Sequence, residues 1–510
     1  MKNKVKQILS VVMSVSMLST MIPLTTYGAE FGSGESAVTV EDETPVSEDV
    51  NVSGDESTDS SAASTDDAFQ SGDAENSFSA DDEDAFSAGD EQDTEVFSDD
   101  TPEAEDFDYV TSNASVSLSE TNMRIFHLDA GRKYFSVAQI KDLIDKLSTY
   151  GYNYMELAVG NDALRFLLDD MSVTVDGKTY SSDAVTAGIQ QGNRNYYNAG
   201  TNELSQAEMD TIISYADSKR ISIIPLLNSP GHMDSIIDCM ESLGMTNVAY
   251  NGSARTIDVT NKTAVSFTTA LIQKYATYFA GKGCHIFNMG ADEYANDVSN
   301  GFEALILGNN YGSFVSYVNS IAATIKNAGM VPMAFNDGIY YNYNTSGGSF
   351  DKDIAIAYWT SGWGGYSPAP ASFLAGKGHK IINTNDAWYY VLGRQAGNKS
   401  GYTIATAQNG VSNTKYADVP GDNDPVVSGA MVCLWCDTPS ASYNDNEAAN
   451  VENILKTFAT NNSDVFQTKE PDKEPDNGAA EENKKTISLS VGGTTTDTIK
   501  GYNYKGQTFT

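Results

Sequence analysis

The sharpest chemical signal in the sequence is Asn288-Met-Gly-Ala-Asp292-Glu293-Tyr294, where two carboxylic acids adjoin behind a short apolar run. Like charges held close together oppose each other's ionisation, so one carboxyl keeps its proton to higher pH and is able to protonate a leaving group. Adjacent acids also occur in solvated turns and at helix amino termini, where the dipole favours them. Position separates the two readings, because an acid pair closing a buried strand faces a cavity rather than bulk water.

Other chemistry-bearing residues recur behind apolar runs. They are Asp129 and Arg132; Asn161, Asp162 and Arg165; Asn228 and His232; Asn336 and Asp337; Trp359 and Trp363; Asp386, Trp388 and Tyr389; and Trp435 and Asp437. Acids supply a proton donor and an anionic stabiliser, while flat aromatic faces pack against the C–H faces of sugar rings. The combination points to carbohydrate hydrolysis. Each has a plainer reading as well: strand-end indoles such as Trp359 and Trp435 commonly pack a core, and His232 after Pro-Gly is equally a turn residue.

The elements that must position these groups alternate in type. Apolar runs predict strands at Met123 to Asp129, Tyr152 to Val159, Ile221 to Asn228, Cys284 to Gly290, Met330 to Asn336, Ile354 to Trp359, Lys380 to Asn385 and Val427 to Trp435. Helical spacing falls between most of them, at Val137 to Tyr150, Gln206 to Lys219, Ala264 to Ala280, Phe314 to Ala328 and Ser372 to Gly376, with a closing helix near Glu447 to Thr460. That alternation predicts an α/β fold, a (β/α)8 TIM barrel with loop insertions, whose active site lies at the carboxyl ends of the strands. Within the insertion Asp170 to Asn202, Val173-Thr-Val175 and Gly177 predict a small hairpin over the barrel mouth.

Composition bounds the rest. The 510 residues carry a formal charge of -38, which argues against a nucleic-acid partner because phosphate contact needs clustered cations. Much of that charge is local: Glu30 to Val110 holds 28 of the 69 acids and no Lys or Arg. Residues 30–112 are therefore expected to be a disordered acidic linker, too poor in apolar groups to offset the entropy of ordering. Residues 1–29, with Lys2, Lys4 and Lys6 before an apolar stretch and a small-residue end at Ala29, read as a signal peptide, so a secreted or cell-surface protein is expected. The barrel is expected over 113–466, a charged Pro-containing linker over 467–485, and the truncated start of a β module over 486–510. Cys239, Cys284, Cys433 and Cys436 are too sparse for a disulfide framework, and Cys433-Leu-Trp-Cys436 lacks a second ligand pair for zinc; buried thiols are expected.

Taken in order, Arg124-Ile-Phe-His-Leu-Asp129-Ala-Gly-Arg132, Gly160-Asn-Asp162, Asn228-Ser-Pro-Gly-His232, Gly290-Ala-Asp-Glu293, Asp386-Ala-Trp-Tyr389 and Leu434-Trp435 resemble glycoside hydrolase family 20. That family includes β-N-acetylhexosaminidases and lacto-N-biosidases, and the texture is nearest to secreted bacterial exo-β-N-acetylglucosaminidases. The resemblance implies substrate-assisted retention, in which the nucleophile is the substrate's own acetamido oxygen and no metal or cofactor is needed. It implies Glu293 as the general acid and base, Asp292 as the stabiliser of an oxazolinium intermediate, and Tyr389 as a donor to the acetamido group. Tyr390 adjoins Tyr389, leaving two candidate hydroxyls.

By the same resemblance Trp359 and Trp435 wall the acetamido pocket, Trp388 belongs to the substrate-binding set, Arg124 and Asp162 bind ring hydroxyls, Asp437 contacts the far edge of the sugar, and His232 stands beside the acid pair. Asp337 completes the candidate binding set and is also the one carboxylate that an enzyme-borne nucleophile would use. Phe335 stands where many relatives carry Trp. The leading expectation is removal of terminal β-linked N-acetylhexosamine, GlcNAc or GalNAc, from glycans. The alternatives are lacto-N-biosidase activity, which needs room for a galactose, and a non-catalytic glycan-binding module.

Overall fold

A computed structural model describes residues 109–466, apart from 113, 115, 198–201, 299–300, 396, 398–400 and 423–424, together with the backbone of two antiparallel strands, Thr486–Val491 and Thr494–Lys500. The expected leader, nearly all of the acidic segment and the 467–485 linker lie outside the described residues.

Eight parallel strands form a closed barrel: β1 (Met123–Asp129), β2 (Tyr154–Asn161), β3 (Ser222–Ser229), β4 (Ile286–Gly290), β5 (Val331–Phe335), β6 (Ala355–Tyr358), β7 (Ile381–Asn383) and β8 (Val427–Trp435). Closure is direct, with Ile125 opposite Tyr154 on one side of β1 and Met431 on the other. The fold is the expected (β/α)8 TIM barrel, and the strands match their predicted spans to within a few residues. Their continuous apolar runs suit strands buried on both faces, as a parallel barrel requires. Inward-facing Ile125, Ile224, Leu226, Met333, Ile382 and Met431 fill the interior as a solid plug.

Around the sheet run α1 (Val137–Thr149), α2 (Ser182–Tyr196), α3 (Gln206–Ser218), α4 (Asp234–Ser242), α5 (Lys262–Gly281), α6 (Gly301–Leu307), α7 (Tyr311–Asn327), α8 (Ala371–Gly376), α9 (Ile404–Asn413) and α10 (Asp445–Asn461). Helix α1 shows why these segments are helical: Ile140, Leu143, Ile144 and Leu147 form one buried stripe, and Ser136 with Gln139 makes a reciprocal capping box. Fully burying each such side chain contributes about 2 kcal/mol. Helices α2, α4 and α9 lie in the loop insertions.

The expected hairpin exists, Val173–Val175 paired with Lys178–Tyr180, but it does not cover the mouth. Val173 and Val175 are buried, and Lys274 on α5 pairs with Asp170 at the foot of the hairpin, so it lies against the outer helical layer. Its alternating Val-Thr-Val face needed an apolar partner, and α5 provides one. All four cysteines are free and buried. Among the described residues no helix is long and apolar enough to cross a membrane.

Candidate active site

Directly above the apolar plug lies one polar layer. His127 Nδ1 on β1 meets Glu156 Oε1 on β2 at 2.7 Å, and Asn288 Nδ2 on β4 donates to Glu156 Oε2 at 2.9 Å. Trp435, at the end of β8, rests on the His127 ring with centroids 4.1 Å apart. This layer is the floor of the site.

Asp292 and Glu293 follow β4 as expected. Gly290 ends that strand at φ +76°, and a Cβ there would overlap the Asn228 side chain. The glycine therefore lets Asn228 Nδ2 reach Asp292 Oδ1 at 2.8 Å. Asp162, His232, Ala291 and Glu293 all have positive φ, a backbone strain that surrounding contacts must hold. Glu293 N–H donates to Asp337 Oδ2 at 2.7 Å, and its Oε2 accepts from Asn296 Nδ2 at 2.7 Å.

His232 joins the acids to a buried cation. Its Nε2 lies 3.2 Å from Glu293 Oε2 and 3.7 Å from Asp292 Oδ2, while Nδ1 lies 2.8 Å from Asp162 Oδ1. Asp162 Oδ2 accepts from Arg132 Nε at 2.6 Å, and Arg132 Nη1 reaches Asp129 at 3.0 Å and Asp437 at 3.5 Å. Asp437 also receives Arg394 Nη2 at 2.9 Å. Burial would raise the Asp162 carboxyl, but Arg132 and His232 outweigh it and hold it well below the usual range. Burial would likewise discharge His232; Asp162 wins and keeps the imidazole protonated well above its ordinary pKa.

The acid pair splits, but the carboxyl pushed up is Asp292 and not the expected acid Glu293. Burial, with Glu293 beside it, raises the Asp292 carboxyl despite the opposing charge of His232. Burial acts the same way on Glu293, but the hydrogen bond and charge of His232 outweigh it and lower that pKa. His232 and Glu293 are thus shifted in opposite directions across one 3.2 Å contact.

Strands β6 to β8 supply the opposite wall. Tyr389 lies parallel to Trp359 at 6.3 Å and edge-on to Trp435 at 5.6 Å, with Tyr402 at 5.7 Å. Tyr390 faces away, its hydroxyl donating to Glu447 on α10 at 2.6 Å, so Tyr389 alone of the two presents its ring to the cavity. Burial keeps the Tyr389 phenol protonated and hence a donor. Phe335 lies 6.0 Å from Trp435, at the base of this wall.

Four expected site residues are placed elsewhere or otherwise. Arg124 stands at the amino-terminal end of β1, the far end of the barrel, where Nε donates to Gly151 O at 2.6 Å; a strand's first residues cannot reach its carboxyl end. Arg132, beyond the end of β1, is the cation in the mouth. Trp388 is fully buried and packs edge-on against Phe458 of α10 at 4.7 Å, because its 3-10 turn directs it outward while Tyr389 turns in. Asp337 is wholly buried, with Oδ1 accepting from Trp359 Nε1 at 3.1 Å and Oδ2 accepting from Glu293 N and the Tyr366 hydroxyl. It is a brace under the acid, with no oxygen free for substrate. Asp162 is similarly enclosed by His232, Arg132 and Tyr196.

His232, Asp292 and Glu293 are also the set of metal-ligating types whose ligand atoms lie within 4.8 Å of one another among the described residues.

A conjoined acid pair at the end of β4, charge on one side and aromatic rings on the other, coincides with a match of residues 122–449 to the family model "Glycosyl hydrolase family 20, catalytic domain". The chain belongs to glycosyl hydrolase family 20. It is a glycosidase. Among solved family 20 structures, that of the pneumococcal exo-β-D-N-acetylglucosaminidase StrH is similar at 42% identity and a TM-score of 0.65, covering 68% of this chain and 84% of that one. Dispersin B, at 20% identity and a TM-score of 0.51, covers 67% of this chain and 99% of its own and shares the fold. A lacto-N-biosidase of Bifidobacterium bifidum is 28% identical over 255 residues, 47% of this chain. The match spans only 21% of that longer relative.

Proposed function

We propose that this family 20 chain is an exported, retaining exo-β-N-acetylglucosaminidase that works through its substrate's acetamido group. The observation that carries the mechanism is the occupation of Asp337. A covalent mechanism needs a second carboxylate free to attack the anomeric carbon. Asp337, the candidate, is wholly buried and both its oxygens already accept hydrogen bonds from Trp359, Tyr366 and Glu293 N–H. The attacking oxygen is then the substrate's own.

In the first step the acetamido carbonyl oxygen bonds to C1 as the glycosidic C1–O bond breaks, and the departing oxygen takes a proton from Glu293. His232, 3.2 Å from Glu293 Oε2 and held on its other nitrogen by Asp162, orients that carboxyl. Asp292 accepts from the amide N–H and offsets the positive charge of the oxazolinium ring, while the Tyr389 hydroxyl donates to the acetamido oxygen. In the second step water attacks C1, Glu293 takes its proton, the C1–O bond to the acetamido oxygen breaks, and the amide is restored. Configuration is retained because C1 is inverted twice.

GlcNAc is favoured by the likeness to StrH, which covers most of that chain, over the lacto-N-biosidase, of which only a fifth is matched. Trp363, 46% exposed and stacked on Tyr366 at 4.5 Å, offers the departing sugar an aromatic face 6.1 Å from Trp359. The test is release of aryl alcohol from aryl β-N-acetylglucosaminide, with proton NMR of the first product. A β-anomer released first is expected; an α-anomer, or activity on a plain β-glucoside, overturns the mechanism. Export predicts recovery from the culture medium of a chain that begins near Glu30, and retention of the intact leader inside the cell would reject it.

A further inference from the structure

Helix α2 (Ser182–Tyr196) lies outside the barrel's helical ring, yet the sequence fixes it tightly. Gly188 and Gly192, one turn apart, face α4; a Cβ at Gly192 would come 2.5 Å from the Ser235 carbonyl oxygen, and one at Gly188 would come 2.7 Å from Cys239 Sγ. Glycine at both positions costs helix propensity, about 1 kcal/mol each, so close approach is what the positions serve. Asn193 then clamps the helix to the short strand Ala163–Leu164, accepting from Leu164 N–H at 2.9 Å and donating to Leu164 O at 2.8 Å. All of this fixes the last residue of the helix, Tyr196.

The Tyr196 hydroxyl donates to Asp162 Oδ2 at 3.2 Å, the same oxygen that takes Arg132 Nε. Burial and the Asp162 charge push the phenol far up, so it remains a neutral donor. Its ring is half-buried and stands beyond Asp162 as seen from the acid pair. A pyranose with C1 at Glu293 and C2 at Asp292 has C3 and C4 on the opposite edge, toward Arg132 and Asp162. A sugar attached at O3 or O4 would leave the ring across Asp162, into the space that Tyr196 fills.

We infer that Tyr196 is a specificity-determining residue that closes the non-reducing end of the pocket. It admits one terminal N-acetylhexosamine and rejects a disaccharide unit extended at O3 or O4. The inference rests on the function proposed above and adds which residue makes that pocket a dead end.

The test compares kcat/KM of the full chain and its variants on aryl β-N-acetylglucosaminide and aryl β-lacto-N-bioside, with the released sugar identified by mass. The wild-type protein is expected to cleave the first and not the second; cleavage of the second by the wild type overturns both readings. Tyr196→Ala should raise the disaccharide-to-monosaccharide ratio about ten-fold or more, the scale at which steric exclusion discriminates. Tyr196→Phe keeps the ring and should keep the wild-type ratio, with KM for the monosaccharide up by about three-fold from the lost hydrogen bond. Tyr196→Leu, apolar and intermediate in size, should fall between them and serves if the alanine variant folds poorly. A ratio unchanged in both Tyr196→Ala and Tyr196→Leu rejects the assignment while leaving the monosaccharide-releasing reading intact.

Discussion

The two halves of the barrel mouth are held in place by different physics. At the ends of β1 to β4, Arg132, Asp162, His232, Asp292 and Glu293 form one chain of ion pairs and charged hydrogen bonds, each member positioned by the next. At the ends of β6 to β8, Tyr389 and Trp435 are positioned by ring contacts, Trp359 by a ring contact and one hydrogen bond to Asp337, and the buried Trp435 Nε1 has no hydrogen-bond partner. The charged half is over-determined because a buried charge without a partner costs several kcal/mol, so every change there is both chemical and structural. The aromatic half excludes water and fixes shape, and leaves Tyr389 as its directional donor. In the proposed mechanism the first half moves protons and the second selects and shields the acetamido group.

If that division holds, the largest effects come from the charged half and depend on the leaving group. Glu293→Gln should lower kcat/KM on a natural disaccharide by about 1000-fold and on an activated aryl glycoside much less, because a good leaving group needs little protonation. Asp292→Asn should lower both, by about 100-fold or more, since oxazolinium formation itself loses its anion. Equal sensitivity of the two variants to leaving-group pKa, measured as a Brønsted slope, would break the assignment of separate roles.

Within the aromatic half, adjacent tyrosines make an internal control. Tyr389→Phe should lower kcat by about 30-fold with KM nearly constant, as removal of a donor used chiefly in the transition state does. Tyr390→Phe removes the hydrogen bond to Glu447 and the acceptor for Gly393 N–H, both away from the cavity, so kcat should stay and melting temperature should drop slightly, about 1 kcal/mol of stability. A fall in kcat for Tyr390→Phe would mean that the aromatic wall depends on α10 for its geometry.

The sequence displayed these halves unequally. Strands were legible because barrel strands are apolar on both faces, and the acid pair because Gly290 and the end of β4 leave it little choice of direction. Side-chain reach was not legible. Arg124 and Arg132 flank the same motif, and only the placement of β1 shows that one stands at each end of the barrel. Trp388 and Tyr389 are neighbours that a 3-10 turn sends to opposite sides. Tyr196 was hidden for a third reason, since its use depends on Gly188 and Gly192 meeting α4 across the fold. The signal available was the pair of glycines one turn apart in a segment that otherwise reads as loop.

Asp337 joins the halves, taking donors from Trp359 and Tyr366 on one side and from Glu293 N–H on the other. Burial, with Asp292 nearby, raises its pKa to about 7 in spite of those donors. A carboxyl near 3.9 when unfolded and about 7 when folded binds its proton more tightly in the native state. Stability from this group is therefore intact below about pH 4, declines as pH rises through the interval, and is lost above about 7. Asp292 and Asp437, also raised, act in the same direction, so the wild-type protein should melt lower at pH 8 than at pH 5. Asp337→Asn removes one contribution from that decline. Asparagine keeps an acceptor for Trp359 Nε1 but turns an N–H donor toward Glu293 N–H, so its melting temperature at pH 5 should be below wild type. The informative quantity is the difference between pH 5 and pH 8, which should shrink by a few degrees. An unchanged difference would mean that Asp337 stays ionised throughout and that the halves are joined by a permanent charge, not by a proton.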